Sequence, residues 1–177
     1  MYETVPTNLV IAIGGGGGNI AASIAGGLPD GVGIVMLDTD NDTLSRRDGE
    51  AVTCLLQDEA TEQEADLRRL IGGDVAKVFV ISCLGGETGS SITPMAVRIA
   101  REMGRETACV VTMPFGFEGK ECKAIASDAL TAIRQYADNV TVIDNNKLLV
   151  KHPDLPFFTA FETIAAEARE YILKLLM

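Results

Sequence analysis

The feature that most constrains this chain is a run of five glycines, residues 14–18, set between a short apolar stretch and an apolar-periodic one. Residues 9–13 read as a buried strand. From Asn19 onward Ile20 and Ile24 fall on one face of a helix, whose start the sequence places near Asn19. Glycines have no Cβ, so this backbone can approach a phosphate and turn its N–H groups toward it. The helix that follows adds the positive end of its dipole. A merely flexible turn would lose ordering entropy without return, so phosphate binding is the better reading. No Gly-Lys-Ser/Thr follows, so this is not a Walker loop. Alone, it fits a Rossmann dinucleotide site and other phosphate cradles equally.

The same strand–loop–helix unit recurs. Strands are expected at 33–37, 78–82, 107–112 and 140–143, with helices at 59–71, 94–103 and 118–136. Pro94 is placed in the first turn of its helix, where a missing N–H costs nothing. The final segment, 157–176, repeats Phe158, Phe161, Ala165, Ala168, Ile172 and Leu175 at steps of three and four, one face of a long helix. Alternating strands and crossover helices predict an α/β fold: a doubly wound, Rossmann-like, mostly parallel sheet with helices on both faces. The expectation is a single domain over 1–177. Its ligand would sit beyond the carboxyl ends of the strands, where the glycine-rich and polar loops lie.

Bulk properties narrow the ligand. The 177 residues carry a net charge of −10, which repels nucleic-acid backbones and excludes DNA or RNA as an expected partner. A mononucleotide remains open, because backbone amides hold phosphates without surplus Lys or Arg. The four cysteines form no C-x-x-C pair, and the strand-associated Cys83 and Cys109 read as small buried hydrophobes. The single histidine, His152, has no neighbours that would make a metal site. Apolar runs are strand-sized, so no membrane span is expected, and a reducing, cytoplasmic setting is the simplest one.

Two further loops sharpen the picture. Leu84-Gly85-Gly86-Glu87-Thr88-Gly89-Ser90 follows the third expected strand, and Met113-Pro114-Phe115-Gly116-Phe117-Glu118-Gly119-Lys120 follows the fourth. Together with the first loop and a later Ile143-Asp144-Asn145-Asn146-Lys147-Leu148-Leu149, they resemble the tubulin/FtsZ family of GTPases. There GGGGGN, GGGTGTG, PF-x-FEG and IPN-x-x-L come in the same order. The resemblance runs from Leu9 to about Ile172. It implies the N-terminal GTPase-domain fold of that family and a guanine nucleotide, GDP or GTP, with Mg²⁺ as its accompanying ion. By this likeness Gly15, Gly16, Gly17, Gly18 and Asn19 touch the α- and β-phosphates. Gly86, Thr88, Gly89 and Ser90 hold the β/γ end, Glu118 accepts from a ribose hydroxyl, and Asn145 reads the guanine edge. Asp38 opens a Asp-Thr-Asp where the family has Asn-Thr-Asp, beside phosphates and ribose.

The departures from the pattern are chemical. Residues 51–65 replace a glycine-rich γ-phosphate loop and carry Asp58, Glu59, Glu62 and Glu64, which repel a triphosphate. Glu87 stands in place of a glycine, and Cys122 in place of an arginine. At the guanine-contacting position of the last helix either Ala165 or Glu162 falls, depending on register. The sequence stops near the end of the family's central helix, so the second domain, with the acidic loop that completes a neighbour's GTPase site, is expected to be missing. Losing such a water-positioning group costs factors of about 10² to 10⁴.

The expected function is therefore a guanine-nucleotide-binding or regulatory module with little or no hydrolysis of its own. Alternatives are a GTPase active only on assembly, a Rossmann NAD or FAD protein with Asp38 as its ribose acid, and a pseudo-site that binds nothing. The outer side of the last helix, through Leu173, Leu176 and Met177, is expected to bind a protein partner or a second copy.

Overall fold

The computed structural model describes residues 6–45, 52–151 and 157–176. Six strands form one sheet: β1 (Asn8–Ile13), β2 (Val32–Asp38), β3 (Val52–Leu55), β4 (Lys77–Cys83), β5 (Glu106–Met113) and β6 (Asn139–Asp144). Their order is β3-β2-β1-β4-β5-β6 and every pair is parallel. The chain winds outward from β1 in one direction, then restarts at β4 and winds in the other. The switch point thus lies between β1 and β4, where such sheets open a crevice at their carboxyl ends.

Among the described residues seven helices flank the sheet: α1 (Gly14–Ala25), α2 (Asn41–Ser45), α3 (Ala60–Ile71), α4 (Glu87–Glu102), α5 (Lys120–Tyr136), α6 (Asn145–Lys151) and α7 (Phe157–Leu176). Strand β1 shows why helices are needed on both faces. Leu9, Ile11 and Ile13 enter the core beneath α3, α4 and α5, while Val10 faces Ile20 and Ile24 of α1 and Ile164 and Ile172 of α7. A strand buried on both sides reads as a continuous apolar run, which is how 9–13 reads.

Several expectations change. Helix α1 begins at Gly14, five residues before Asn19, so the glycines form its first turn rather than a preceding loop. Helix α4 begins at Glu87, and Pro94 lies inside it, leaving the Ser90 carbonyl without its usual i+4 donor. Strand β3 is new, a four-residue edge strand within the acidic stretch. Helix α6 follows β6 directly, and α5 is preceded by a 3-10 turn, Gly116–Glu118.

On α7, Ala165, Ala168 and Ile172 are buried and Leu175 packs against them, as the periodicity requires. Leu176, expected on the outer side, also packs against this core, because it follows Ile172 by one turn. Leu173 is half-buried, and the exposed positions are Glu162, Ala166, Glu167, Arg169, Glu170 and Lys174. The side chains of Phe158 and Phe161, together with His152 and Met177, lie outside the described residues. No helix among the described residues is long and apolar enough to cross a membrane.

Candidate functional site

Two helices aim their N-termini at the switch point. Neither α1, after Ile13, nor α4, after Gly86, has a side-chain cap. An uncapped helix start leaves backbone N–H groups and a partial positive charge facing outward, the usual elements of an anion site. The two starts adjoin: a Cβ built on Gly14 would stand 3.6 Å from the Gly89 nitrogen. Gly14 itself has φ +74°, a left-handed conformation that suits glycine and lets β1 turn directly into α1.

The glycines divide by task. A Cβ on Gly17 would meet the Ile81 carbonyl oxygen at 2.6 Å, and one on Gly89 would meet the Cys83 carbonyl oxygen at 2.4 Å. These two let α1 and α4 press onto β4. A Cβ on Gly15 would meet only Thr43, at 3.5 Å, and one on Gly86 would stand in open space. A Cβ on Gly16 would collide with the Cys83 side chain, its Sγ at 2.6 Å. A valine at Gly16 would therefore disturb packing as well as any ligand.

Beside the helix starts lies a cavity of about 330 Å³, walled by Gly16 and Asn19 of α1, Cys83 and Leu84 after β4, Thr112 to Glu118 in part, and Asn145. Asn145 is 5% exposed, and its Oδ1 has no hydrogen-bond partner. Buried acceptors are almost always satisfied, and one left unmet costs about 1–3 kcal/mol. Glu118 is exposed at the rim, with Oε1 accepting from the Phe115 N–H at 2.6 Å.

Asn146, which no motif singled out, fastens this rim. Its Oδ1 accepts from the Gly116 N–H at 2.6 Å, and its Nδ2 donates to the Pro114 carbonyl at 3.2 Å. The Phe115 and Phe117 rings of the same loop stack on each other, centroids 5.1 Å apart. Cys83 also went unread as a site residue. It is half-buried, packs against the core as expected, and also lines the cavity. Burial pushes its thiol up, a hydrogen bond with Thr112 works against this, and the Glu118 charge adds to it. Cys109 does fill the core and is pushed up to about 12 by burial.

The remaining expected residues sit elsewhere. Asp38 is 4% exposed, and its Oδ1 accepts from the Thr39 and Asp40 N–H groups and from the Thr88 hydroxyl at 3.4 Å. It ties the end of β2 to the start of α4. The Ser90 hydroxyl accepts from the Gly85 N–H at 2.9 Å, closing its own loop. Ala165 is core, Glu162 is exposed, and neither lines the cavity. Glu64 pairs with Arg98, eleven residues along α4 from Glu87, roughly 16 Å from the helix start at 1.5 Å per residue. That carboxylate is neutralised well away from the phosphate end.

Fold and site together define an open α/β domain of the kind that holds an anionic, partly flat ligand at its switch point. A sequence model described as "Tubulin/FtsZ family, GTPase domain" matches residues 56–151, and the chain belongs to that family. It is 35% identical over 165 residues to the cell division protein FtsZ of Coxiella burnetii, covering 83% of this chain and 43% of that protein. With FtsZ 1 of Archaeoglobus fulgidus it shares 34% over 178 residues, covering 92% and 48%. The chain thus spans less than half the length of these relatives. Among solved structures, the empty FtsZ dimer of M. jannaschii superposes with TM-score 0.82 at 26% identity, covering 96% of this chain and 54% of that one. CetZ from Methanosaeta thermophila, at 18% identity, shares the fold with TM-score 0.81, over 97% of this chain and 54% of its own. Asp38, the ribose acid of the dinucleotide reading, accepts from Thr39, Asp40 and Thr88 within the chain.

Proposed function

We propose that this chain binds a guanine nucleotide, GDP or GTP, and serves as a binding or regulatory module with little hydrolysis of its own. The carrying observation is the orphaned, buried Oδ1 of Asn145 in the wall of a cavity that adjoins two uncapped helix starts. An unmet acceptor calls for a donor, and the guanine amino group is one; the choice of guanine over adenine rests on the family likeness. Phosphates suit the N-termini of α1 and α4, around Gly15, Gly86 and Thr88. Base and ribose suit the cavity, with Glu118 at its rim to accept from a ribose hydroxyl. An accompanying Mg²⁺ would offset the exposed Glu87 carboxylate.

Among the described cavity residues Glu118 is the only carboxylate, and one of its oxygens already binds the Phe115 N–H. The chain spans less than half of its curated relatives, so a GTPase completed by assembly is the second reading.

Asn145→Ala tests the base contact. A structural asparagine would lose stability on truncation. An asparagine awaiting a ligand should lose guanine-nucleotide affinity by about tenfold or more, with ligand-free stability unchanged or raised, since the unmet acceptor is gone. Calorimetry with GDP, GTP, ATP and NAD, alongside thermal melts of the free protein, reads both quantities. Equal GDP affinity in parent and variant would refute the assignment. Nucleotide released by denaturing the purified parent identifies what it carries, and a steady-state phosphate assay separates module from GTPase.

A further inference from the structure

The cavity contains one reactive group that the nucleotide reading leaves without a task, the thiol of Cys83. Cys83 ends β4, pairs in register with Thr112, and lines the cavity with Asn145. Its sulfur presses against the first glycine turn, 2.6 Å from where a Cβ on Gly16 would stand. A ligand that fills this cavity meets both the Cys83 wall and the Asn145 wall. Asn145, 5% exposed and with an unpaired Oδ1, lines the same cavity as Cys83. The other thiols are placed differently: Cys109 is fully buried in β5, while Cys54 and Cys122 are half-buried and outside the cavity wall.

We propose that Cys83 is a thiol-modification site inside the nucleotide cavity, at which a small sulfenylating agent or disulfide and the nucleotide exclude one another. The proposal rests on the nucleotide reading and adds a means of regulating the same site. With methyl methanethiosulfonate as probe, the Cys83 thiolate attacks the sulfenyl sulfur. The new S–S bond forms as the S–SO₂ bond breaks, methanesulfinate leaves with the electron pair, and the thiol proton goes to solvent. A small disulfide reacts likewise, with a thiolate as leaving group. The added methylthio group then stands between Gly16 and Asn145. The thiolate is the attacking species, so burial makes Cys83 slower than an open thiol, and the cavity's size restricts it to small reagents.

The test uses the full chain and begins with calorimetry of GDP binding before any treatment. Methyl methanethiosulfonate is then applied with and without GDP, and the modified cysteines are mapped by peptide mass spectrometry. With GDP at 100 times its Kd, labelling of Cys83 should slow about 100-fold while Cys54 and Cys122 label at unchanged rates. The modified protein should lose GDP binding and regain it with dithiothreitol. Cys83→Ser, or Cys83→Ala if serine does not fold, should keep after treatment whatever affinity it had before. The proposal is overturned if Cys83 does not label in the free protein, if GDP leaves its rate unchanged, or if the labelled protein binds GDP like the parent. An untreated parent that binds no guanine nucleotide defeats the nucleotide reading itself. Binding without protection defeats only the role of the thiol.

Discussion

The two ends of the sheet are built to opposite specifications. At the amino ends of the strands, charged groups meet partners. Lys77 pairs with Glu106 at 3.2 Å, linking the starts of β4 and β5. Asp138, just before β6, pairs with Arg101 through one oxygen and accepts the Thr107 N–H at 2.9 Å through the other. Arg105 donates to the Gly73 carbonyl at 2.9 Å. At the carboxyl ends lie two helix starts without side-chain caps and the unpaired Oδ1 of Asn145. One end is met within the chain except at the buried Arg105 Nε, while the other presents two helix starts and an acceptor that suit a ligand.

The comparison breaks most severely where the unmet end depends on close packing. Gly89 and Gly86 belong to the same loop, yet a Cβ on Gly89 would overlap the Cys83 carbonyl oxygen, whereas one on Gly86 meets nothing. Gly89→Ala should therefore lose about 1–3 kcal/mol or more through forced displacement of α4 from β4. Gly86→Ala, at φ −84°, should stay within about 0.5 kcal/mol of the parent. Denaturant melts of both variants decide it. Equal losses would mean that the glycines of this loop share one task.

Asp138→Ala sharpens the contrast from the other end. It removes an acceptor from the Thr107 N–H and a partner from Arg101, and should cost about 1–2 kcal/mol by the worth of a charge-assisted hydrogen bond. Nucleotide affinity, read by calorimetry, should not move. A loss of affinity without a loss of stability would show that the two ends are coupled.

The sequence made the carboxyl end conspicuous for the reason that makes it functional. Glycines, paired hydroxyls and Asn-Asn stand out against apolar runs, so the alternation of elements and the crevice could be read before any coordinates. Helix starts could not. Glycine is a poor helix former, and 14–18 looked like a loop until packing of Gly17 on Ile81 drew the run into α1. Pro94 suggested a helix start, but α4 carries it inside. Strand β3 escaped because four residues, 52–55, show too little periodicity. The cavity wall escaped in part because register assembles it. Cys83 faces Thr112 only when β4 and β5 align, and Met113 lies beside Asp144 only when β5 and β6 do. Asn145 was found through the family likeness, while Asn146, its neighbour, carried no mark of the rim contacts it makes.

The smallest expected effect concerns Glu87, a charge placed by the sequence at the unmet end. It is exposed in the first turn of α4, where a carboxylate interacts favourably with the helix's partial positive charge. That benefit competes with a bound phosphate for the same charge, and a third phosphate adds repulsion. Two unit charges about 7 Å apart in water repel by roughly 0.6 kcal/mol, a factor of about three in affinity. GDP should thus bind at least about as well as GTP. Glu87→Gln should raise GTP affinity relative to GDP by about two- to fivefold at low ionic strength. The gain should shrink near 1 M salt, where screening acts within about 3 Å. Calorimetry with both nucleotides at fixed Mg²⁺ and two salt concentrations reads the ratio. A ratio that ignores both the substitution and the salt would place Glu87 away from the phosphates, and the start of α4 would then have to face some other part of the ligand.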